Sequence, residues 1–175
     1  PADVGWNAPE AAWDGEEAIA SAFSGSAWNV GLWHPDAVIV DVDDPSAWHS
    51  FLEELEAERP GVAGELARAP FVWTRRGFHV FLRVPGGLGG TTLRPGIEVK
   101  TGASGQQVAG PGSVIVHDDG ATEKRDGIIP SIHELPEAPP ALAARIACAK
   151  ERRDFDAGDY EDTQAGIEGF RQMLA

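Results

Sequence analysis

The segment Val38-Ile39-Val40-Asp41-Val42-Asp43 constrains this chain more than any other. Its β-branched run predicts a buried strand over Ala37–Val42. Alternate side chains of a strand share a face, so Val38, Val40 and Val42 turn into a core while Asp41 and Asp43 point together to the other side. Strand rise sets those two carboxylates about 7 Å apart. Two acids ending an apolar strand repel each other and resist desolvation unless a cation joins them. A solvated strand end, followed by a helix cap at Asp44, explains the same residues.

The flanking sequence supplies the elements around this strand. Asp44-Pro45 is a helix start, a capping side chain with proline at the first helical position. Trp48, Phe51, Leu52 and Leu55 then fall on one inward face, and the helix stops before Pro60. Phe71–Thr74 and Phe78–Val84 predict a hairpin around Arg75-Arg76-Gly77. Gly86–Gly90 is a loop, and Gly96–Thr101, Gln106–Ala109 and Val114–His117 are short strands. Upstream, Asp14 caps a helix over Gly15–Ala22, and Asn29–Trp33 is a strand. Downstream, Pro136, Pro139 and Pro140 mark a linker-like stretch before a helix over Ala141–Arg153. An acidic loop over Asp156–Asp162 and a second helix over Thr163–Leu174 follow. The expected division is a unit over 1–135 and a C-terminal helical appendage over 136–175. Strands and helices interleave without regular βαβ spacing, which predicts an α+β class with a mixed sheet.

Charge narrows the partners. The net charge is −14, which opposes a broad nucleic-acid-binding face, because phosphate contacts need Lys and Arg. The distribution is uneven: residues 1–65 balance to −13, residues 66–133 to +3 and residues 134–175 to −4. Contact with a nucleic acid would therefore be local to the middle stretch. A 42% hydrophobic content and six tryptophans supply a core. No run of about 18 apolar residues predicts a membrane span, and no charged-then-apolar leader predicts a signal peptide. One cysteine, Cys148, excludes an internal disulfide and a cysteine-rich zinc site, in keeping with a reducing cytoplasm. The first residue is Pro1, which suggests a piece of a longer protein.

Three further motifs fall in or beside the basic stretch. In Ile97-Glu98-Val99-Lys100, Glu98 faces away from its β-branched neighbours, with Lys100 on its own side; a half-exposed strand explains the pattern equally well. If Glu98 meets Asp41 and Asp43 in space, three carboxylates form an oxygen donor set suited to Mg²⁺ or Mn²⁺. In Arg75-Arg76-Gly77-Phe78-His79-Val80-Phe81, His79 shares a face with Phe81 and Arg83. The preceding arginines make a cationic cluster suited to a triphosphate, though a hydrogen-bonded structural histidine also fits. The glycine-rich run 101–107 and Gly110-Pro111-Gly112-Ser113 are a backbone cradle for phosphate or simply a hairpin; neither a P-loop nor a dinucleotide fingerprint is present. His34, His49, His117 and His133 lack paired ligand spacing and are expected to be structural or surface residues. The tryptophans are expected mostly in the core, with one exposed ring available to stack a base.

Taken in order, these pieces resemble the bifunctional primase-polymerase domain of the archaeo-eukaryotic primase superfamily. That family pairs a hydrophobic strand ending in DxD with a GxH-type strand and a hydrophobic strand carrying one acid, followed by a glycine-rich turn and an "aPgS"-like segment. Here these are Val38–Asp43, Gly77–Phe81, Ile97–Lys100 and Ala109–Ser113, and Asn29–Leu32 is similar to the strand before the first motif. The resemblance spans roughly residues 26–116. It implies an archaeo-eukaryotic primase-like fold with an RRM-like sheet, and primer synthesis and extension from dNTP or NTP with Mg²⁺ or Mn²⁺. It implies Asp41, Asp43 and Glu98 as catalytic metal carboxylates. His79 would contact the nucleotide's phosphates, with Arg76, Lys100 and Ser113 as further nucleotide-binding candidates. Implied partners are a single-stranded DNA template and primer and a helicase domain elsewhere in the full-length chain, in phage or plasmid replication, with no membrane. The setting implied is the cytoplasm of a bacterial, archaeal or phage-infected cell. Glu98 stands where aspartate is commoner, and Gln106-Gln107-Val108 replaces a frequent glycine-tyrosine pair. A metal-dependent phosphodiesterase or nuclease would use the same residues, as would a non-catalytic nucleotide-binding module.

Overall fold

The structure, a computed structural model, describes residues 31–32 and 34–151. The helices expected over Gly15–Ala22 and Thr163–Leu174, the loop over Asp156–Asp162, and Trp6, Trp13, Trp28 and Trp33 lie outside the described residues. The order is β1 (Gly31–Leu32), β2 (Ala37–Val42), α1 (Pro45–Glu58), α2 (Val62–Leu66), β3 (Phe71–Trp73), β4 (Phe78–Arg83), β5 (Thr91–Arg94), β6 (Ile97–Thr101), β7 (Val108–Ala109), β8 (Val114–Val116) and β9 (Thr122–Lys124). A further helix, α3, covers 140–151.

Five strands form the central sheet in the order β3-β4-β2-β6-β5, while β1 pairs with β7 and β8 with β9. The α+β expectation holds, but the sheet is not mixed. Every ladder among the described residues is antiparallel, and the one parallel contact is an isolated bridge between Arg83 and Glu137. Tight connections explain this. Thr74–Gly77 turns β3 into β4, and Pro95-Gly96 turns β5 into β6, with Gly96 at φ 81°; loops this short join only antiparallel strands.

β2 is central and buried along its whole length, because each sheet face packs against something. Val38, Val40 and Val42 join Val80, Leu82, Ile97 and Val99 under α1, where Trp48, Phe51 and Leu55 complete the main core. Asp44 caps α1 as its sequence predicts, accepting from the Ser46 N–H at 2.9 Å and the Ala47 N–H at 3.3 Å. On the opposite face a smaller cluster of Ile39, Val72, Phe81, Val108 and Leu135 covers only one end of the sheet. The other end of that face carries Asp41, His79, Glu98 and Lys100, the alternate residues of β2, β4 and β6. The boundary between apolar cover and polar floor thus follows directly from the period of two.

The stretch after Leu135 packs on the same framework. Arg83 N–H donates to Pro136 O and Ala138 N–H donates to Arg83 O, both at 2.9 Å. From α3, Leu142 and Ile146 are fully buried in the main core. Leu142→Ala is therefore expected to lower unfolding free energy by about 2–5 kcal/mol. Ala144→Ser, on the exposed side of α3, should stay within about 0.5 kcal/mol. Urea denaturation followed by circular dichroism distinguishes the two; equal, small losses would place α3 outside the cooperative core.

Candidate active site

The polar end of the sheet is built from a single cross-strand row. His79 on β4 and Glu98 on β6 are both the direct partners of Asp41 on β2. Opposed side chains in neighbouring strands sit about 5 Å apart at Cβ, so register alone brings these three together. Asp43, two residues on, lies just past the strand, where its N–H and that of Asp44 both donate to Gly96 O at 2.9 and 3.2 Å.

The turn between β3 and β4 closes on the same point. Gly77 approaches the end of β2 so closely that a Cβ placed on it would lie 1.9 Å from Val42 O. Glycine is required there by contact rather than by an unusual dihedral. The approach delivers Arg76 to Asp43 as a two-pronged pair, Nε to Oδ1 at 3.2 Å and Nη2 to Oδ2 at 2.7 Å.

Asp41 is 9% exposed and receives a donor on each oxygen. His79 Nε2 lies 3.2 Å from Oδ1 and Lys100 Nζ 2.6 Å from Oδ2. Burial alone would raise its carboxyl. Hydrogen bonds and charge from His79 and Lys100 prevail and hold its pKa down at about 2, so the group is a carboxylate at neutral pH. Burial also opposes the Lys100 charge, yet the bond to Asp41 and the nearby Glu98 raise its pKa. Lys100 Nζ is also 3.6 Å from Glu98 Oε2, so the ammonium bridges two of the three expected metal carboxylates.

These residues line an open cleft of about 730 Å³, the size range of small-molecule sites. Its floor is Asp41, His79, Glu98 and Lys100, one wall is the turn Thr74–Arg76, and the facing wall is the β8–β9 hairpin with His117, Glu123 and Arg125. Arg75 joins the walls through Asp119 at 2.7 Å.

The structure thus brings Asp41, Asp43, Glu98, His79, Arg76 and Lys100 into one cleft. Three residues sit otherwise than the sequence suggests. His79, expected against phosphates, is 4% exposed with Nε2 on Asp41, while its buried Nδ1 has no hydrogen-bond partner. Ser113 is buried in the turn before β8, its N–H donating to Gly110 O at 3.2 Å, and is not among the cleft-lining residues. His117, expected to be structural or surface, lines the cleft and pairs with Glu123 at 2.9 Å. Its only sequence signal was the alternation of β8 and β9, which sends His117, Glu123 and Arg125 to one face. Among the described residues no three or more His, Cys, Asp or Glu side chains are drawn into a metal-binding group; the acids are engaged by Arg76, His79 and Lys100 instead.

The Asp41 shift makes stability depend on pH. Its folded value lies below the 3.8 of an ordinary aspartate. The stabilisation, about 2 kcal/mol by linkage, is therefore complete above about pH 5 and lost as pH falls through about 2. Asp41→Asn in chelator is expected to flatten the stability profile over that interval, measured as urea midpoints against pH. A profile parallel to that of the parent would refute the buried pairing.

Among the described residues no helix is long and apolar enough to cross a membrane. No curated protein and no solved structure matches the chain significantly. A family model does match, over residues 1–141, and it contains the whole β2–β4–β6 row and both walls of the cleft. By that match the chain belongs to the family of bifunctional DNA primase/polymerase N-terminal domains.

Proposed function

We propose that this domain is a nucleotidyltransferase, a DNA primase and polymerase that extends a primer on a single-stranded template from dNTP or NTP. The observation that carries the reading is the row His79–Asp41–Glu98 across three strands with Asp43 beside it, inside a cleft whose turn supplies Arg75 and Arg76. The donor set fits a divalent cation. Asp41 is ionised well below neutral pH, and carboxylate oxygens are the preferred ligands of Mg²⁺ and Mn²⁺. Asp41, Asp43 and Glu98 would hold the metal, which when bound lowers the pKa of the attacking 3′-hydroxyl and neutralises charge on the leaving pyrophosphate.

The protein's own residues do the rest. His79, buried against Asp41, fixes the orientation of that carboxylate and withholds it from water. Arg76 and Lys100 are cations held on carboxylates that a metal would claim, so they are the groups free to turn to the triphosphate. Ser113 contributes, in this reading, through the backbone turn that sets the β8–β9 wall. The setting that accompanies the family resemblance, a phage or plasmid replication protein with a helicase domain, is part of the proposal. So is a C-terminal appendage, drawn here after residue 151 rather than after the expected residue 135. Because α3 shares the main core, removal of 152–175 is the truncation that leaves the catalytic unit folded; it should spare primer extension more than de novo priming.

The deciding assay supplies template, primer, labelled dNTPs and Mn²⁺. Product growth supports the proposal, shortening of the strand points to a nuclease, and neither points to a binding module. Asp41→Ala and Asp43→Ala are expected to lower synthesis by about 10²-fold or more with unchanged circular dichroism. Retained synthesis in either would remove these carboxylates from the mechanism.

Lys100→Ala separates the two kinds of binding. Losing a charge-assisted bond of about 1.5–3 kcal/mol should weaken dNTP affinity by roughly ten- to a hundredfold. Mn²⁺ affinity, read by electron paramagnetic resonance without nucleotide, should stay equal or tighten because a competing cation is gone. Weaker Mn²⁺ binding would mean that Lys100 only supports the carboxylates.

A further inference from the structure

The β8–β9 hairpin turns charge inward and apolar side chains outward. Its register pairs Val114 with Lys124, Ile115 with Glu123 and Val116 with Thr122. Alternation therefore sends Ile115, His117, Glu123 and Arg125 to the cleft side and both valines to solvent. Val114 and Val116 are 45% and 71% exposed, while the side chains of Glu123 and Arg125 keep 12% and 13% of their surface. A short two-stranded hairpin is marginally stable alone and gains most by burying apolar groups. One that buries its charges instead departs from packing logic in the way functional sites do.

The inward groups form a chain that ends on a histidine. Arg125 Nη1 lies 2.5 Å from Glu123 Oε1, and Glu123 Oε2 lies 2.9 Å from His117 Nε2. The carboxylate is held by one oxygen and holds the imidazole with the other. With Nε2 taken, Nδ1 is the ring nitrogen left for a molecule in the cleft, which His117 lines. A carboxylate behind an imidazole fixes its orientation and balances its charge when protonated, the pairing that general acid–base catalysis uses. The other charged groups about the ring are Asp119 in the hairpin turn and Arg75, which reaches Asp119 from the opposite wall at 2.7 Å. Asp119, whose carboxyl is held below its ordinary range first by the Arg75 bond, also feels the charge of His117. His117 thus stands beside the Arg75-Arg76 turn, at the end of the cleft where cations for phosphate are gathered.

Nucleotidyl transfer calls for a proton at that end, because pyrophosphate departs with a new electron pair on its oxygen. Arginine cannot supply one, which leaves His79, Lys100 and His117 among the nitrogen donors lining the cleft. His79 and Lys100 are both bound to Asp41. His117 is held by a carboxylate outside the expected metal set.

We propose that His117, oriented by Glu123, is the proton donor to the departing pyrophosphate, an inference that rests on nucleotidyl transfer in this cleft. The primer 3′-oxygen forms a bond to the α-phosphorus, and the bond from that phosphorus to the bridging oxygen breaks. The bridging oxygen keeps the electron pair and takes the Nδ1 proton. The 3′-hydroxyl proton passes to solvent, and solvent returns one to the ring. Glu123 is a positioning residue that acts through His117.

The test is single-turnover primer extension by the full chain with Mn²⁺, using a dNTP and its β,γ-CH₂ and β,γ-CF₂ analogues. These make the leaving group more and less basic, respectively. His117→Gln is expected to slow extension with dNTP by roughly 10²-fold or more, with dNTP affinity by titration and circular dichroism unchanged. The defect should widen with the CH₂ analogue and shrink with the CF₂ analogue, because a good leaving group needs no proton. Glu123→Gln should show a smaller loss with the same leaving-group trend, and the double variant should be no slower than His117→Gln. If His117→Gln does not fold, the trend in Glu123→Gln decides. A defect equal across the three nucleotides would mean that the pair merely supports the hairpin, and it overturns the proton donor. Extension by His117→Gln within about threefold of the parent overturns it too, while the nucleotidyl-transfer reading stands. If the parent itself extends nothing, that reading fails and the proton donor fails with it.

Discussion

Everything at the polar end of the sheet depends on a carboxylate that water cannot reach freely. Asp41 is the penultimate residue of the central strand, opposite His79 on one side and Glu98 on the other. An unpaired charge there would be strongly destabilising. The donors on both its oxygens, His79 Nε2 and Lys100 Nζ, make it tolerable. Those two side chains are themselves placed by strand register, so the electrostatics of the site and the pairing of three strands are one constraint. A register slip of one residue in β4 or β6 would exchange His79 or Glu98 for an apolar neighbour and turn the core outward at the same time. The main core therefore enforces the site geometry from the opposite face.

The close approach of the β3–β4 turn is the second part of that constraint. Gly77 against Val42 O lets Arg76 meet Asp43, and Asp43 in turn is held by the shared Gly96 carbonyl. The turn is thus fastened to the ends of both β2 and β6. The β8–β9 wall is tied on by Arg75–Asp119 and by Arg125, whose Nη1 donates to Trp73 O at 3.4 Å. The Arg75–Asp119 pair between the walls is exposed, and such pairs are weak and separable, whereas the floor is joined by largely buried ones. Such a site has a rigid base and walls that can re-form around a bound molecule.

How much of this was legible in the sequence follows from how each residue is held. The faces of β2, β4 and β6 were readable because alternation is local: Val38, Val40 and Val42 inward, Asp41 outward, Glu98 with Lys100. The cap at Asp44 and the hairpin turn at Arg75–Gly77 were readable for the same reason. β5 was not, because Thr91–Arg94 has no apolar alternation; it is a strand because β6 pairs with it, and Arg94 is held by Glu54 and by the face of Phe51. The burial of His79 is likewise a property of three strands and not of its own. His117 escaped notice because its partner, Glu123, lies across a hairpin whose return strand carries Thr122, Glu123 and Lys124, residues without a strand signature. Ser113 shows the opposite limit of local reading. A polar residue in a glycine-rich turn suggests an exposed ligand, yet the turn packs inward and buries it.

The charges in the cleft bear on how it would work. Asp41, Asp43, Glu98 and Glu123 face Arg75, Arg76, Lys100 and Arg125, so the cleft is close to neutral within a strongly acidic chain, and each of its cations already has a carboxylate neighbour. A triphosphate entering such a site finds no surplus of positive charge. It must take cations from carboxylates, leaving Asp41, Asp43 and Glu98 facing one another at a cost greatest for the buried Asp41. Under the proposed function the exchange would become favourable with a divalent cation on Asp41, Asp43 and Glu98, because that would release Lys100 and Arg76 and relieve the acids at once. Binding of a divalent cation and of a polyphosphate would then each strengthen the other by the same factor. The coupling does not require a change of fold, since the groups that move are side chains at the ends of strands the core holds fixed. An acidic body with a charge-matched cleft would in this way reject polyanions that arrive without a metal and retain those that arrive with one.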